Sequence, residues 1–495
     1  MKVLRTTYPR GAFLGVSSAL VLAACTPASD LERLSSPSAG FESVATTART
    51  ATGAEAVWLQ SAEDISANAK KVSALVSGKT ISADTAVQVA LLNNRGLQAA
   101  YADLGLSAAD AWQVALAPNP SLHLGVLGLG TQSLDGFRTL EGGIAANLLA
   151  LTTQKSRNRI ADVRFRKAQL VAAEETLRVA TEARKAWITT VAAFETASLV
   201  RQTQETADAA SELAAELGKT GYLGRDDQAR EHAFAAELAG QRAQADLAAK
   251  LAKEDLTRIM GLFGVDLNYF VPDALPGLPR IADRKAFESE ALAGRVDLAA
   301  AKLELEAVAL DYRLGDRTRV VSDIALAAGT EIERELEDGA RHSAQTDSLD
   351  LEVAFEIPIF DSGAARLRKG EVAYMKAAHQ LAQKAVDVRS EARAAHLAWT
   401  GTHKIARHYR DVVLPLRKTI EEEALLSYNG MITNTFELLA DTRARMQSNL
   451  LEASARRDFW LADANMTAVL YGGGGATAPS GGGGATAAAE EPAGH

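Results

Sequence analysis

A single cysteine, few aromatic residues, no excess of positive charge and no long apolar run beyond the N-terminus set the first limits on this 495-residue chain. One cysteine excludes intramolecular disulfides and multi-cysteine zinc or iron–sulfur centres. The 53 basic side chains are outnumbered by 62 acidic ones, a formal net charge of -9, so a basic nucleic-acid-binding face is not the dominant feature and no nucleic-acid partner is expected. Aromatics make up only 5%, whereas alanine supplies roughly a fifth of the residues, far above ordinary usage. Such a chain cannot fill a thick core. It can build long helices that pack closely, because alanine has the best helix propensity and lets backbones approach. After the N-terminal segment no stretch reaches the roughly 18 apolar residues of a spanning helix, so any membrane crossing has to be a barrel.

The position of the cysteine accounts for it. Lys2, Arg5 and Arg10 form a basic start, Gly11 to Leu22 is an uncharged apolar run, and Leu22-Ala23-Ala24-Cys25 follows. A basic segment, a short apolar segment and small residues before a cut define a secretory signal. The arrangement resembles a bacterial lipoprotein signal, with 1–24 removed and Cys25 lipidated as the new N-terminus. An ordinary signal peptide with an incidental cysteine is the plainer reading. Several acyl chains, at about 0.8 kcal/mol per buried methylene, make a durable anchor. Thr26 in place of an aspartate after the cysteine favours, by resemblance to sorted lipoproteins, the outer membrane of a diderm (Gram-negative) bacterium. Residues 25–81 read as a Ser/Ala/Thr-rich lead-in, extended apart from one weak helix around Trp58 to Val76. Residues 472–495, with two runs of four glycines, have nothing to bury and read as a disordered tail.

An internal repeat organises the rest. Ala90-Leu91-Leu92-Asn93-Asn94-Arg95 recurs as Ala291-Leu292-Ala293-Gly294-Arg295 at an offset of 200, and further on Arg157 matches Arg366, Glu182-Ala183-Arg184 matches Glu391-Ala392-Arg393, and Gly221 matches Gly430 at an offset of 209. The copies span 82–262 and 283–471, joined by a Pro-rich linker at 263–282. The extra nine residues lie between the equivalents of His123 and Leu148, where each unit changes from helix to strand.

Periodicity separates the elements within a copy. Leu349, Leu351, Val353, Phe355, Ile357 and Ile359 alternate with Asp350, Glu352, Ala354 and Glu356, a period of two that predicts a strand apolar on one face and acidic on the other. Its partner is expected at Val320 to Ala328, with weaker counterparts at Leu122 to Val126 and Gly143 to Leu151. Four strands cannot close a barrel: they cover a soluble core or are shared among chains. From Lys155 to Leu217 there is neither proline nor glycine, enough for roughly 90 Å of unbroken helix. A turn at Gly218 to Gly224 leads to a return helix at Asp226 to Met260. The second copy repeats this with a helix from Ala364 to Leu426, kinked at Pro415, a turn at Tyr428 to Thr433, and a return helix to Leu470. Alanine stripes at Ala207, Ala210, Ala214 and at Ala378, Ala382, Ala385 suit antiparallel helix packing.

Taken in order, the lipoprotein signal, the two copies of helix, strand, strand, long helix, turn and helix, Asn119-Pro120-Ser121, Arg-Val-Asp-Leu-Ala-Ala at 295–300 and Ile357 to Gly363 resemble the TolC-type outer-membrane efflux channels over about Ser82 to Tyr471. That resemblance implies a mainly α fold with a small β part: a homotrimer with a twelve-stranded barrel, four strands per chain, continued by a periplasmic helical tunnel. It also implies a passive exit duct for drugs, metal ions or other small molecules, working with a periplasmic adaptor protein and an inner-membrane pump of the RND type, with outer-membrane lipid around the barrel and no cofactor beyond the lipid on Cys25. By position, Gly221, Tyr222, Leu223, Gly224 and Gly430, Met431, Ile432, Thr433 correspond to the tips where the adaptor docks. Asp226, Asp227, Glu437 and Asp441 are candidate aperture carboxylates, with solvated helix starts as the plain reading. Asp350, Glu352 and Glu356 are expected to face the lumen. Leu91 to Leu104 is similar to members that serve heavy-metal pumps, which leaves the cargo open.

Enzyme readings fail on spacing. Gly125 to Gly130 lacks the helix start and ribose-binding acid of a dinucleotide site. Ser73 and Leu213 occupy the first-glycine position ahead of Gly78-Lys79-Thr80 and Gly218-Lys219-Thr220, so neither is a phosphate loop. His396, His403 and His408 are seven and five apart rather than the three or four of a helical zinc pair, and read as surface or interhelical residues. The chain is therefore read as a non-enzyme. The remaining alternative to a channel is a periplasmic coiled-coil structural or adaptor lipoprotein without a pore.

Overall fold

A computed structural model describes residues 28–127, 139–221, 223–282, 284, 286–319, 321–337, 340–355, 363–430 and 435–472. The element order follows the repeat. Three helices come first: α1 (Ala28–Ser35), α2 (Phe41–Thr52) and α3 (Ala62–Val76). The first copy is α4 (Ala83–Asn93), α5 (Arg95–Ala115), β1 (Ser121–Leu127), β2 (Thr139–Asn147), α6 (Leu148–Lys219) and α7 (Arg225–Met260). The second is α8 (Phe287–Gly294), α9 (Val296–Arg317), β3 (Val321–Glu337), β4 (Ala340–Phe355), α10 (Ala364–His408), a π-helical turn (Tyr409–Val413), α11 (Leu414–Asn429) and α12 (Thr435–Tyr471). The chain divides into two compact units. One extends to Trp187 and adds Lys253–Pro272 and Arg295–Asp387; the other comprises Ile188–Ala252, Asp273–Gly294 and the chain from Val388 onward.

The first unit holds the sheet and a core around Tyr101, Phe165, Leu91 and Leu97. The lead-in takes part in this core, which corrects the expectation of an extended segment. Val44 is fully buried, Phe41 stacks edge-on against Tyr101 at 4.9 Å, and Trp58 lies over Gly105, where a Cβ would approach it to 2.9 Å. Trp58 itself precedes the helix. Ser61 caps α3 in a reciprocal box with Asp64, so the helix starts at Ala62. The alanine-rich lead-in carries few large side chains; Phe41, Val44 and Trp58 pack onto this core, while Ile65 stays exposed.

Two further boundaries differ from expectation. β2 runs 139–147 rather than 143–151, and α6 begins at once at Leu148, where the Asn147 side chain accepts a hydrogen bond from the Ala150 amide at 2.7 Å. β3 continues to Glu337, nine residues past the expected end, because its whole length is paired with β4. The nine-residue gain in the second copy thus falls in a longer hairpin.

The second unit is built on helix packing. α6 and α7 run antiparallel: the Thr190 hydroxyl donates to the Ala252 carbonyl at 2.9 Å, Arg242 to the Gln204 side chain at 3.3 Å, and Ser211 bonds His232 at 2.5 Å. Ala207, Ala210 and Ala214 are buried in this seam as expected. The α10 stripe is elsewhere: Ala382 is exposed, and the buried face is Val388, Ala392, Ala395, Trp399 and Ala406. That face sets Val388 and Trp399 among three alanines at helical spacing. His403 is buried there against the Pro279 carbonyl at 2.9 Å. The linker is therefore held: Leu275 is buried, its amide donating to Glu195, and Trp460 donates to the Pro276 carbonyl.

The kink expected at Pro415 takes the form of the π-helical turn just before it. Proline has no amide hydrogen for the Asp411 carbonyl and its ring crowds that group, so the chain widens over Tyr409–Val413 and the Leu414 amide reaches back to Tyr409.

Candidate functional site

The sheet has the order β1-β2-β3-β4, all antiparallel, with β1 and β4 as its edges. Residues paired across strands share a face. Leu122 pairs with Ile144, Ile144 with Ala328 and Ala328 with Leu349; Val126 pairs with Leu140 and Leu140 with Ile332. One face therefore gathers the apolar side chains of all four strands. They are not covered: Leu122, Leu124, Ile144 and Leu349 are 67%, 76%, 55% and 67% exposed in the single chain. The four strands thus share an unburied, mostly apolar face, interrupted on β3 and β4 by Thr330, Gln345 and Asp347, which hydrogen-bond one another; in a water-soluble protein such a face would be an association site.

The opposite face is small and acidic. Glu141 stands directly across from Glu331, Thr139 from Glu333, and Asp350 from Ala327, with Gly143, Ala145, Ala325 and Gly329 between them. Like charges directly opposed are destabilising in a ladder unless water screens them, so this face belongs against a hydrated space. Asp350 lies on it, and the Ser348 hydroxyl donates to its carboxylate at 3.0 Å. Glu352 pairs in register with Ala325, and its side chain is outside the described set. Glu356 falls outside the described residues. Among the described helices none is long and apolar enough to cross a membrane, and no group of metal-ligating side chains is found among the described residues.

The expected tips sit at the two helix-hairpin turns. Gly221 takes the left-handed conformation at φ 75, which favours glycine, and its amide donates to the Gly218 carbonyl. Leu223 is half-buried and Gly224 exposed. Gly430 ends α11, its amide donating to Leu426 at 2.9 Å. Tyr222, Met431, Ile432 and Thr433 lie outside the described residues, as does Cys25. Asp226 is exposed and Asp227 half-buried in the first turn of α7, with the Asp226 carboxylate folded over Gly224. Asp441 is half-buried on α12, and the Glu437 side chain is outside the described set.

What joins the two hairpins is a set of ion pairs that sequence reading missed. Glu231 on α7, 2% exposed, receives Arg443 of α12 at 2.6 Å, and the same guanidinium sits 3.8 Å over the Phe234 ring. Arg445 pairs with Glu421, and Arg456 with Glu195, whose other oxygen accepts from the Leu275 amide. Burial is the main influence raising the Glu452 carboxyl beside Arg456, with the Glu195 charge adding to it. Glu231, Glu421 and Glu195 are thus each paired with an arginine.

A second missed cluster lies in the first unit. The Arg295 guanidinium grips Asp297 with two hydrogen bonds of 2.9 and 2.7 Å, Lys384 of α10 reaches the same carboxylate at 2.7 Å, and the Leu298 amide donates to it at 2.8 Å. Arg295 and Asp297 side chains are each 3% exposed. Burial alone would raise the Asp297 carboxyl, but bonds and charge from Arg295 and then Lys384 outweigh it and hold it at about 2. Glu174 is raised, first by burial and then by the Asp297 charge. The Arg-Val-Asp-Leu run is thus a buried clamp between α9 and α10.

Helix pairs bracketing an antiparallel hairpin, repeated twice, with one shared sheet whose apolar face is left uncovered, define the fold of the TolC-type outer-membrane efflux channels. The structure superposes on the CusC transmembrane channel with a TM-score of 0.64 at 14% identity, covering 79% of this chain and 92% of that one. A membrane protein of Pseudomonas aeruginosa aligns with a TM-score of 0.65 at 17% identity over 78% and 92%, and the Campylobacter jejuni CmeC outer membrane channel with 0.63 at 14% over 79% and 86%. No protein-family model and no curated protein sequence matches the chain. The likeness is one of fold, carried by spacing and periodicity rather than by residue identity.

Proposed function

We propose that this protein is a passive outer-membrane channel, the exit duct of a tripartite efflux system, assembled as a homotrimer in which each chain contributes four strands to a twelve-stranded barrel. The observation that carries the proposal is the in-register apolar face spanning β1 to β4, exposed in one chain and backed by an acidic, small-residue face. Placed in a barrel, the first meets lipid, the second lines water, and the unpaired edges β1 and β4 pair between neighbouring chains. No chemical step is needed. Cys25 is the lipid anchor, and the chain sits in the outer membrane with its helices in the periplasm. The turns at Gly221 to Gly224 and Gly430 to Thr433 dock the adaptor, which links the duct to an inner-membrane pump. Drugs, metal ions and other small molecules all fit such a duct, whose cargo the pump selects.

The test is made on membranes. The full chain should fractionate with the outer membrane, migrate as a heat-modifiable trimer and conduct ions in planar bilayers. A soluble monomer without conductance would instead support the pore-free coiled-coil lipoprotein. Gly221→Val together with Gly430→Val should impair export while leaving the trimer intact, and unchanged export would remove the tips from the docking role.

A further inference from the structure

The junction between sheet and helices repeats a second pattern that neither the lumen nor the tips explain. The helix before each hairpin carries an aromatic residue at the same place in both copies, Trp112 on α5 and Tyr312 on α9, offset by 200 residues. They are 40% and 38% exposed. The helix after each hairpin carries two arginines at the same place in both copies, Arg157 and Arg159 on α6, Arg366 and Arg368 on α10, offset by 209. All four arginines are exposed. They lie within the first few turns beyond the strands, and α6 carries no carboxylate before Asp162. Arg157 and Arg366 form no ion pair with a described residue; Arg159 is 3.9 Å from Glu306 and Arg368 2.6 Å from Glu371, both solvent-exposed pairs of small worth. In a chain of net charge -9, a basic belt placed twice in the same register next to an apolar sheet face is a local reversal of sign.

We infer that this belt binds the anionic headgroups of phospholipids in the leaflet on the helical side of the membrane. The inference rests on the channel reading, since it takes the apolar sheet face as the lipid-facing wall. Aromatic residues settle at the boundary between hydrocarbon and headgroups, where an apolar ring and a polar edge are both satisfied. Arginines just beyond them meet phosphodiester oxygens, to which the guanidinium fork donates paired hydrogen bonds. The occupant is a phosphatidylglycerol-like lipid: its phosphate supplies the missing negative charge and its acyl chains continue onto Leu122, Leu124 and Leu349. The belt thereby fixes the depth of the barrel.

The experiment uses the full-length trimer reconstituted in phosphatidylcholine vesicles containing a minor fraction of phosphatidylglycerol. The lipid shell is extracted with the protein in a membrane-solubilising polymer and its composition measured by mass spectrometry. A charge near a membrane surface contributes about 1 kcal/mol, so phosphatidylglycerol should be enriched roughly fivefold or more in the shell. The enrichment should vanish in R157Q/R159Q/R366Q/R368Q and fall part-way in R157Q/R366Q, which covers the case in which the fourfold variant fails to assemble. K219Q, at the far end of α6, should leave it unchanged. Conductance is recorded in parallel. Conducting trimers with no enrichment, or with enrichment untouched by the arginine variants, overturn this inference while leaving the channel reading standing. Absence of conducting trimers in the unaltered chain overturns the channel reading itself. Loss of the trimer in R157Q/R366Q at unchanged shell composition would make the belt a contact between copies of the chain and would likewise overturn the inference.

Discussion

The two copies of the repeat reach the same architecture by different means. In the first, the break between α4 and α5 is held by amides: Asn94 caps α5 by accepting from Leu97 at 2.9 Å, and the Asn93 and Asn94 side chains donate to the carbonyls of Gly261 and Ile259 at the end of α7. In the second, the corresponding position is Gly294, where a Cβ would stand 3.0 Å from the Leu470 carbonyl, and the helix after the break is fixed instead by the Arg295–Asp297–Lys384 clamp. Arg95, the counterpart of Arg295, is exposed, and Leu97 stands where Asp297 does. The first copy has an uninterrupted 72-residue helix, while the second is divided at a π-helical turn. A duplicated unit keeps its spacing while the interactions that enforce it diverge.

The largest expected effect breaks the clamp. Asp297→Asn leaves the Arg295 charge buried without its partner and should cost roughly 3–5 kcal/mol, seen as a lowered thermal midpoint of the full chain. Arg95→Gln at the matching place in the first copy should change stability by less than about 0.5 kcal/mol. Equal effects would erase the distinction. The pH dependence has a defined sign: the Asp297 carboxyl is depressed to about 2 in the folded chain, so its contribution is complete above an unfolded carboxylate's usual range near 4 and is lost as pH falls toward 2. A melting series on the unaltered chain and Asp297→Asn should converge at the acid end.

Next in size is the helix break. Thr206 is the counterpart of Pro415 at the offset of 209. Thr206→Pro should cost about 3 kcal/mol, since it removes a donor inside a continuous helix, whereas Pro415→Thr should be neutral or stabilising. Urea midpoints compare the two, and a destabilised Pro415→Thr would mean that the π-turn is held by packing rather than by the proline. The smallest effect sharpens the cap. Asn94→Ala should cost about 1 kcal/mol, read as faster hydrogen exchange of the first-turn amides of α5; unchanged exchange would remove the cap from the account.

Most of the fold was legible because spacing encodes it. The period of two at Leu349 to Phe355, the proline- and glycine-free run after Lys155 and the turn at Gly221 each correspond to an observed element. Boundaries were not legible: β2 and β3 are set by pairing with each other and with β4, a long-range condition that local periodicity does not carry. The lead-in was misread because its large core residues are few: Phe41 and Val44 sit three apart on α2 and Trp58 in the loop before α3, among the serine, threonine and alanine that dominate the segment. At the helix-hairpin turns, carboxylates near the glycines were legible, but no local pattern pairs Glu231 with Arg443, 212 residues away. One signal was present: an acid and an arginine each a few residues inside helices leaving matching turns.

The central claim is that adjacent residues of β4 face lipid and water. Leu349→Cys and Asp350→Cys, each labelled with an environment-sensitive fluorophore in the reconstituted full chain, test it directly, because Cys25 is the only natural cysteine and its thiol is consumed by lipidation in the proposed anchor. The account predicts that a brominated lipid quenches the probe at 349 and spares the one at 350, while aqueous iodide does the reverse. Equal access of iodide to both positions, with no quenching by lipid at either, would contradict it.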